Sequence, residues 1–269
     1  MSKVRIAHIT TVDLSIRMLL MNQLRFLLAA GLEVSCISSA GPQAGAIEAA
    51  GLRHLPVRMT RRISPVADLA ALFQLCRLLR RERFQLVHTH TPKAAFLGRL
   101  AARLSGVPSI VHTVHGFYFH EGASPWARRF HVGLERMAAR WCELMISVSE
   151  EDVRTALDER ICAEGKIRFL GNGIDLKAFD RSRLDGARLA ELRRELGIPA
   201  GRPIVGFVGR LVREKGVADL REAAATVRRR FPEVAVLIVG PVDDEKRDAV
   251  SPEDALEYGV SDLCVFTGK

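Results

Sequence analysis

Pro203-Ile204-Val205-Gly206-Phe207-Val208-Gly209-Arg210-Leu211-Val212-Arg213-Glu214-Lys215-Gly216 is where the fold of this chain first becomes readable. An apolar run of strand length stops at Gly209, and helical periodicity begins after Gly216. A strand, a glycine-bounded turn and a helix form the repeating unit of a parallel α/β sheet. The same turn suits an anion. Backbone N–H groups at a helix start favour negative charge, and Gly209 and Gly216 let the chain approach it closely. Arg210 and Lys215 add two full charges that could neutralise a diphosphate. Taken alone, the spacing also fits a solvated loop with an ordinary Arg and Lys.

Upstream, apolar runs alternate with amphipathic stretches in the same rhythm. Strands are predicted at 4–9, 33–38, 54–57, 86–89, 109–114, 143–147 and 167–170. Helices are predicted at 15–30, 44–50, 64–83, 92–105, 125–141 and 150–157, with Ser64 as N-cap and Pro65 in the first position. Downstream of the opening stretch lie a helix at 217–230, a strand at 234–239, a short helix at 252–258 and a strand at 263–266. The expected fold is α/β with two doubly wound Rossmann-like domains. Residues 1–180 form the first domain, 181–202 a linker with a helix at 187–196, and 203–269 a second, incomplete domain. Its three strands predict a thin sheet with an uncovered apolar edge.

Composition bounds the function. The 269 residues are 48% hydrophobic and 26% charged, which suits a soluble globular protein and excludes disorder. Cys36, Cys76, Cys142, Cys162 and Cys264 are scattered and unpaired in sequence, so free thiols in a reducing compartment are expected. The first apolar run is short and carries Arg5 and His8, which reads as a core strand and not a signal peptide. No stretch approaches the roughly 20 apolar residues of a membrane span, so a cytoplasmic protein is predicted. The net charge of +9 is uneven: residues 1–180 hold 24 Lys and Arg against 16 Asp and Glu, whereas 181–269 hold 16 against 15. The excess is mostly arginine, notably Arg58, Arg61, Arg62, Arg77, Arg80, Arg81 and Arg83, then Arg128, Arg129, Arg136 and Arg140. An anionic membrane surface and a solvated face both fit it, whereas no nucleic-acid motif accompanies it.

Ligands of open parallel sheets bind beyond the C-terminal ends of the strands. Thr10-Thr11-Val12-Asp13, His88-Thr89-His90, His112-Thr113-Val114-His115-Gly116 and Gly171-Asn172-Gly173-Ile174-Asp175 are all predicted at such ends. One histidine is most often a satisfied core residue, but four at two strand ends point to a pocket. His88 and His90 could share a zinc ion, yet no carboxylate near them in sequence completes a shell, so no metal is expected. Asp243-Asp244-Glu245 resembles a cation cluster, but Lys246 and Arg247 favour a solvated turn. No Walker loop, Gly-x-Ser-x-Gly or Gly-x-Gly-x-x-Gly follows the first strand, which disfavours nicotinamide cofactors.

Several motifs together resemble glycosyltransferase family 4, of the two-domain GT-B fold, and the likeness covers essentially the whole chain. They are the stretch from His88 through Pro92-Lys93 to Val107-Pro108, Thr113-Val114-His115-Gly116-Phe117, Asn172-Gly173-Ile174-Asp175 with Phe179, and Gly209-Arg210 with Lys215-Gly216. The branch it is similar to builds capsules, O-antigens and other surface glycans. The resemblance implies an N-terminal acceptor domain and a C-terminal domain for a nucleotide-diphosphate sugar. It implies transfer in the cleft with retention of anomeric configuration, without a cofactor or an obligatory metal. Arg210 and Lys215 would bind and stabilise the leaving diphosphate, with Gly209 and Gly216 beside them, and His115 would lie against the donor sugar or β-phosphate. Asn172, Gly173 and Asp175 would shape the crossover near the donor, and Thr11, His88 and His90 would face the acceptor. The implied acceptor is lipid-linked, at the inner face of the plasma membrane. Two departures stand out: residues 10–15 lack the glycine of many relatives' first loop, and the sequence stops before the family's Glu, seven residues, Glu motif. A truncated non-catalytic remnant or subunit, and a GT-B sugar-nucleotide epimerase, are the competing expectations.

Overall fold

In a computed structural model of the chain, residues 3–117, 119, 124–242, 248–252 and 260–268 are described. The chain divides into two units, Met1–Gly173 and Ile174–Lys269. The first holds strands β1 (Arg5–Val12), β2 (Glu33–Ser39), β3 (Arg53–Pro56), β4 (Leu86–Thr89), β5 (Ser109–Val114), β6 (Leu144–Ser147) and β7 (Ile167–Phe169). All pair in parallel, in the order β3-β2-β1-β4-β5-β6-β7. The chain winds outward from β1 to β3, then returns to β4 on the other side of β1. That reversal makes the β1/β4 boundary a topological switch point, where open α/β sheets bind ligands.

Helices follow the strands: α1 (Asp13–Ser15) and α2 (Met21–Ala29), α3 (Ala44–Ala49), α4 (Pro65–Glu82), α5 (Pro92–Leu104), α6 (Pro125–Ala139) and α7 (Glu150–Asp158). Side chains alternate across a strand. Ala7, Ile9 and Val87 therefore share one face and pack in the main core with Leu75, Leu79, Leu97 and Ala101 of α4 and α5. Ile16, Leu20, Leu24, Val34, Cys36 and Ile47 build a second core. All five cysteines are free, and Cys36, Cys76 and Cys142 are buried.

Two local expectations are corrected. Strand β1 runs on to Val12, so Thr10 and Thr11 are buried strand residues and not an open loop. Threonine suits a pleated backbone, and Thr10 Oγ1 satisfies itself by donating to the Val12 carbonyl at 2.8 Å. The helix expected over 15–30 is broken by a π turn at Ile16–Leu20, an extra residue per turn that apolar periodicity does not register. Ser64 is the N-cap of α4 and Pro65 its first residue, as expected, although the Ser64 side chain makes no cap bond. Asp68, at the fourth helical position, reaches back, its Oδ2 accepting from the Ser64 N–H at 3.0 Å.

Part of the arginine excess holds this unit together. Glu82, at the end of α4, accepts from Arg53 at 2.6 and 3.2 Å, from Arg81 at 2.9 Å and from Arg5 at 3.0 Å. Arg53 leads these partners in holding the Glu82 carboxyl down to about 2, from an ordinary 4.5. A depressed carboxylate stabilises the fold above its unfolded value, and that stability is lost as pH falls through the folded value. With its arginine partners partly in water, Glu82→Gln is expected to cost about 1–3 kcal/mol at neutral pH. The difference from the parent in urea midpoint should shrink between pH 4.5 and about 2; an unchanged difference would refute this role for Glu82.

The second unit contains α8 (Gly186–Glu195), β8 (Ile204–Val208), α9 (Val217–Arg228), β9 (Ala235–Val239) and β10 (Cys264–Phe266). Its sheet has the parallel order β10-β9-β8. Leu211, Ala224, Val236, Ile238, Val260 and Leu263 form its core. On β8 the apolar side chains of Val205 and Val208 are 42% and 83% exposed. The Asp243-Asp244-Glu245 cluster, and the helix expected at 252–258 beyond Pro252, lie outside the described residues. Among the described residues no helix is long and apolar enough to cross a membrane.

Candidate functional site

At the switch point of the first unit, His8 of β1 is the register partner of His88 of β4. Even-numbered residues of both strands share the face opposite Ile9 and Thr89, so His8, His88 and His90 gather there. His8 Nδ1 lies 3.1 Å from His90 Nε2, and His90 Nδ1 lies 3.2 Å from His115 Nε2. His88 Nε2 is bonded to Thr113 Oγ1 at 2.7 Å. His8, His88 and His90 are buried, and only His115 is partly exposed. His112 faces the other way, its Nδ1 donating to the Thr89 carbonyl at 3.0 Å. The histidine set expected from sequence is thus corrected: His112 leaves it and His8 joins it.

The turn beyond β4 is strained. Thr91 has φ 52°, a region that a β-branched residue rarely enters. Its Oγ1 accepts from the Thr11 backbone N–H at 3.0 Å and lies 3.0 Å from Thr11 Oγ1. Outliers of this kind persist only where their surroundings hold them, and they cluster at working sites. Nearby, buried Asp13 accepts backbone N–H bonds from Leu14 at 2.8 Å and Gln43 at 2.7 Å. Lys93, which follows in the same motif, is tied down: its Nζ donates to Asp68 at 2.6 Å, to Thr60 at 3.1 Å and to the Arg62 carbonyl.

The electrostatics of this rim are those of neutral imidazoles. Burial pulls His8 down to about 3. Burial, reinforced by neighbouring histidines, holds His88 and His90 well below the ordinary imidazole range. His112 is lowered in the same way, with the Arg99 charge adding to burial, and burial also lowers His115. Nitrogens of His8, His88 and His90 lie within 4.8 Å of one another, a geometry that could hold a metal ion. Among the described residues, however, no carboxylate or thiolate joins that group. The rim also offers hydrogen bonds without net charge, which suits sugar hydroxyls or phosphate oxygens.

The second unit, by itself, carries a charged turn. Beyond β8, Gly209 N–H donates to the Val239 carbonyl at 2.9 Å and Leu211 N–H to the Pro241 carbonyl at 2.9 Å. Leu211 and Val212 bridge to Val242 and Ala249 and plug into the core, leaving Arg210 and Lys215 exposed on either side. Residues Arg213–Lys215 form a 3-10 turn. Gly216 then takes φ 75°, a conformation open to glycine, and starts α9. Arg210 pairs with Glu214 at 3.2 Å. Two exposed cations flank a rigidly pinned turn at a helix N-terminus. Asn172, Gly173 and Asp175 are exposed, and Asp175 Oδ1 accepts from the Lys177 N–H at 3.0 Å as a local turn.

The family description Glycosyltransferase Family 4 matches residues 18–178, more than half of the sequence. The chain belongs to glycosyltransferase family 4. A second description, Glycosyl transferases group 1, matches residues 190–269. Among curated relatives, the Escherichia coli UDP-Gal:alpha-D-GlcNAc-diphosphoundecaprenol alpha-1,3-galactosyltransferase is 30% identical over 89% of this chain and 62% of its own length. The Staphylococcus aureus capsular polysaccharide biosynthesis glycosyltransferase CapM is 28% identical over 91% of this chain and 63% of its own. This family 4 chain thus spans under two thirds of either relative. In fold it is similar to Anabaena HepE, solved with UDP and glucose, at a TM-score of 0.76 and 18% identity over 98% of this chain and 69% of that one. Both units have the α/β character of the GT-B class.

Two residues of this family 4 chain escaped sequence reading. His8 looked like a polar interruption of a core strand, and only the β1–β4 register discloses its partners. Gly240, next to the cation turn, sits so close to Gly209 that an added Cβ would lie 1.8 Å from the Gly209 carbonyl oxygen. A glycine directly after the apolar run 234–239 was the available signal.

Proposed function

We propose that this chain transfers a sugar, with retention of configuration and without a metal, from a nucleotide-diphosphate sugar to a lipid-linked glycan acceptor in surface polysaccharide assembly. The observation that carries the reading is the pinned turn with Arg210 and Lys215 exposed at the start of α9. Preorganised cations and N–H groups act where negative charge develops, here on the departing diphosphate. Gly209 and Gly216 keep that turn in place, and His115 contributes a hydrogen bond to the donor. Asn172 and Asp175 are assigned to donor binding, and Thr11 to acceptor binding. His88 and His90, being buried, support that rim from beneath. The relatives' names agree in chemistry: one carries a UDP-activated sugar and a diphosphoundecaprenol acceptor.

A working place at the inner face of the plasma membrane fits the surface of α4. Val66, Leu69 and Phe73 are 84%, 68% and 69% exposed at helical spacing on one side, preceded by exposed Ile63. Arg77 extends the same side, and Arg58, Arg61 and Arg62 precede the helix. An apolar stripe bordered by arginines suits anionic lipid. Pelleting with liposomes should rise with anionic lipid content and fall with salt. The Leu69→Glu, Phe73→Glu double variant should lower it about tenfold; salt-insensitive pelleting would remove the electrostatic part of this reading.

The reaction itself is tested by incubating the protein with a panel of labelled nucleotide sugars and polyprenyl-diphosphate-linked glycan. Label moving into the lipid phase is expected for one donor. Sugar released or rearranged with donor alone, and no lipid product, would overturn transfer in favour of an epimerase-like activity.

A further inference from the structure

Two hydrogen bonds join three imidazoles in line, from His8 through His90 to His115. The first two rings are buried, and the third is partly exposed. Burial keeps all three in the uncharged form, so each carries one N–H. Each contact needs one donor and one acceptor, which leaves only two arrangements of the protons. In the first, every ring is protonated at Nε2, and the His8 Nε2–H ends the line. In the second, every ring is protonated at Nδ1, and the line ends in the Nδ1–H of the partly exposed His115.

The buried end decides between them. His8 Nε2 is buried and has no hydrogen-bond partner. The first arrangement would strand an N–H there, and orphaned buried N–H groups are rarer than under-satisfied acceptors. The second leaves only a bare lone pair. We propose that His8 and His90 are positioning residues that fix His115 as the Nδ1–H tautomer, so that it offers a donor to an acceptor oxygen of the bound nucleotide sugar. The inference rests on the proposed role of His115 toward the donor, but the tautomer can be read without any ligand.

The test is two-bond 1H–15N correlation spectroscopy on the chain labelled with 15N-histidine, at neutral pH. His8, His90 and His115 should all show the Nδ1–H pattern. His90→Phe should return His115 to the Nε2–H form that free histidine prefers, and lower kcat/KM for transfer about tenfold. His90→Gln can accept from His8 and donate to His115, so it should restore both the Nδ1–H pattern and a rate within about threefold of the parent. An Nε2–H signal for His115 in the parent chain would overturn the proposal, whether or not the Phe variant folds. So would a stoichiometric zinc-induced shift of His8, His88 and His90, which would make the cluster a metal site. An inactive protein with the expected tautomers would count against the donor role of His115 and leave the proton arrangement standing.

Discussion

Lys215→Ala should lower kcat/KM for sugar transfer by about 100- to 1000-fold, equivalent to roughly 3–4 kcal/mol of transition-state stabilisation. Arg210→Ala should do the same. The reason is geometric. Leu211 and Val212 anchor the turn in the core, so the flanking cations are held ready and need little reorganisation when the diphosphate leaves. The two effects should combine to less than their product, because both groups act on one leaving group. Arg210 shares its charge with Glu214 in the ligand-free state, so Glu214→Gln should leave Arg210 more available and tighten nucleotide binding modestly. Steady-state kinetics with a saturating acceptor decides the matter. Near-parent rates for both alanine variants would remove the diphosphate role and the proposed function with it.

Gly240→Ala should destabilise the second unit by about 3–5 kcal/mol. Gly240 has φ 148°, and a methyl group there would stand 1.8 Å from the Gly209 oxygen and 2.7 Å from its carbonyl carbon. Those are backbone atoms, so no side-chain rotation relieves the clash. The backbone must part at the point where Gly209 N–H meets the Val239 carbonyl. Hydrogen exchange read by mass spectrometry should show lost protection along β8 and β9. Nucleotide affinity should fall as well, since the displaced atoms belong to the cation turn. Unchanged exchange across those strands would mean that the close approach is not maintained in solution.

Much of the fold was legible because pattern and punctuation agreed. Strands β4 and β5 are flanked by helices that begin with proline, at Pro65, Pro92 and Pro125, and their bounds match the expected 86–89 and 109–114. The places that misled have physical reasons. Thr10 and Thr11 broke the apolar run, yet threonine is at home in a strand when its hydroxyl has a partner. The π turn at Ile16–Leu20 inserts a residue that periodicity absorbs without trace. In the cation turn, the apolar pair Leu211-Val212 between two charges already hinted that the segment is anchored and not a free loop. The histidines show the limit most plainly. Residues 88 and 90 declare a shared face by spacing alone, but His8 joins them through a strand order that reverses between β1 and β4. That contact spans 82 residues of sequence, beyond the reach of any local pattern.

The bonds from Lys93 to Asp68 and Thr60 lash the first turn of α5 to the start of α4. Lys93 stands directly after Thr91-Pro92, the stiffest bend on the rim. The start of α4 is thereby tied to the turn that carries His90, so the apolar outer side of α4 and the histidine edge share one fixed support.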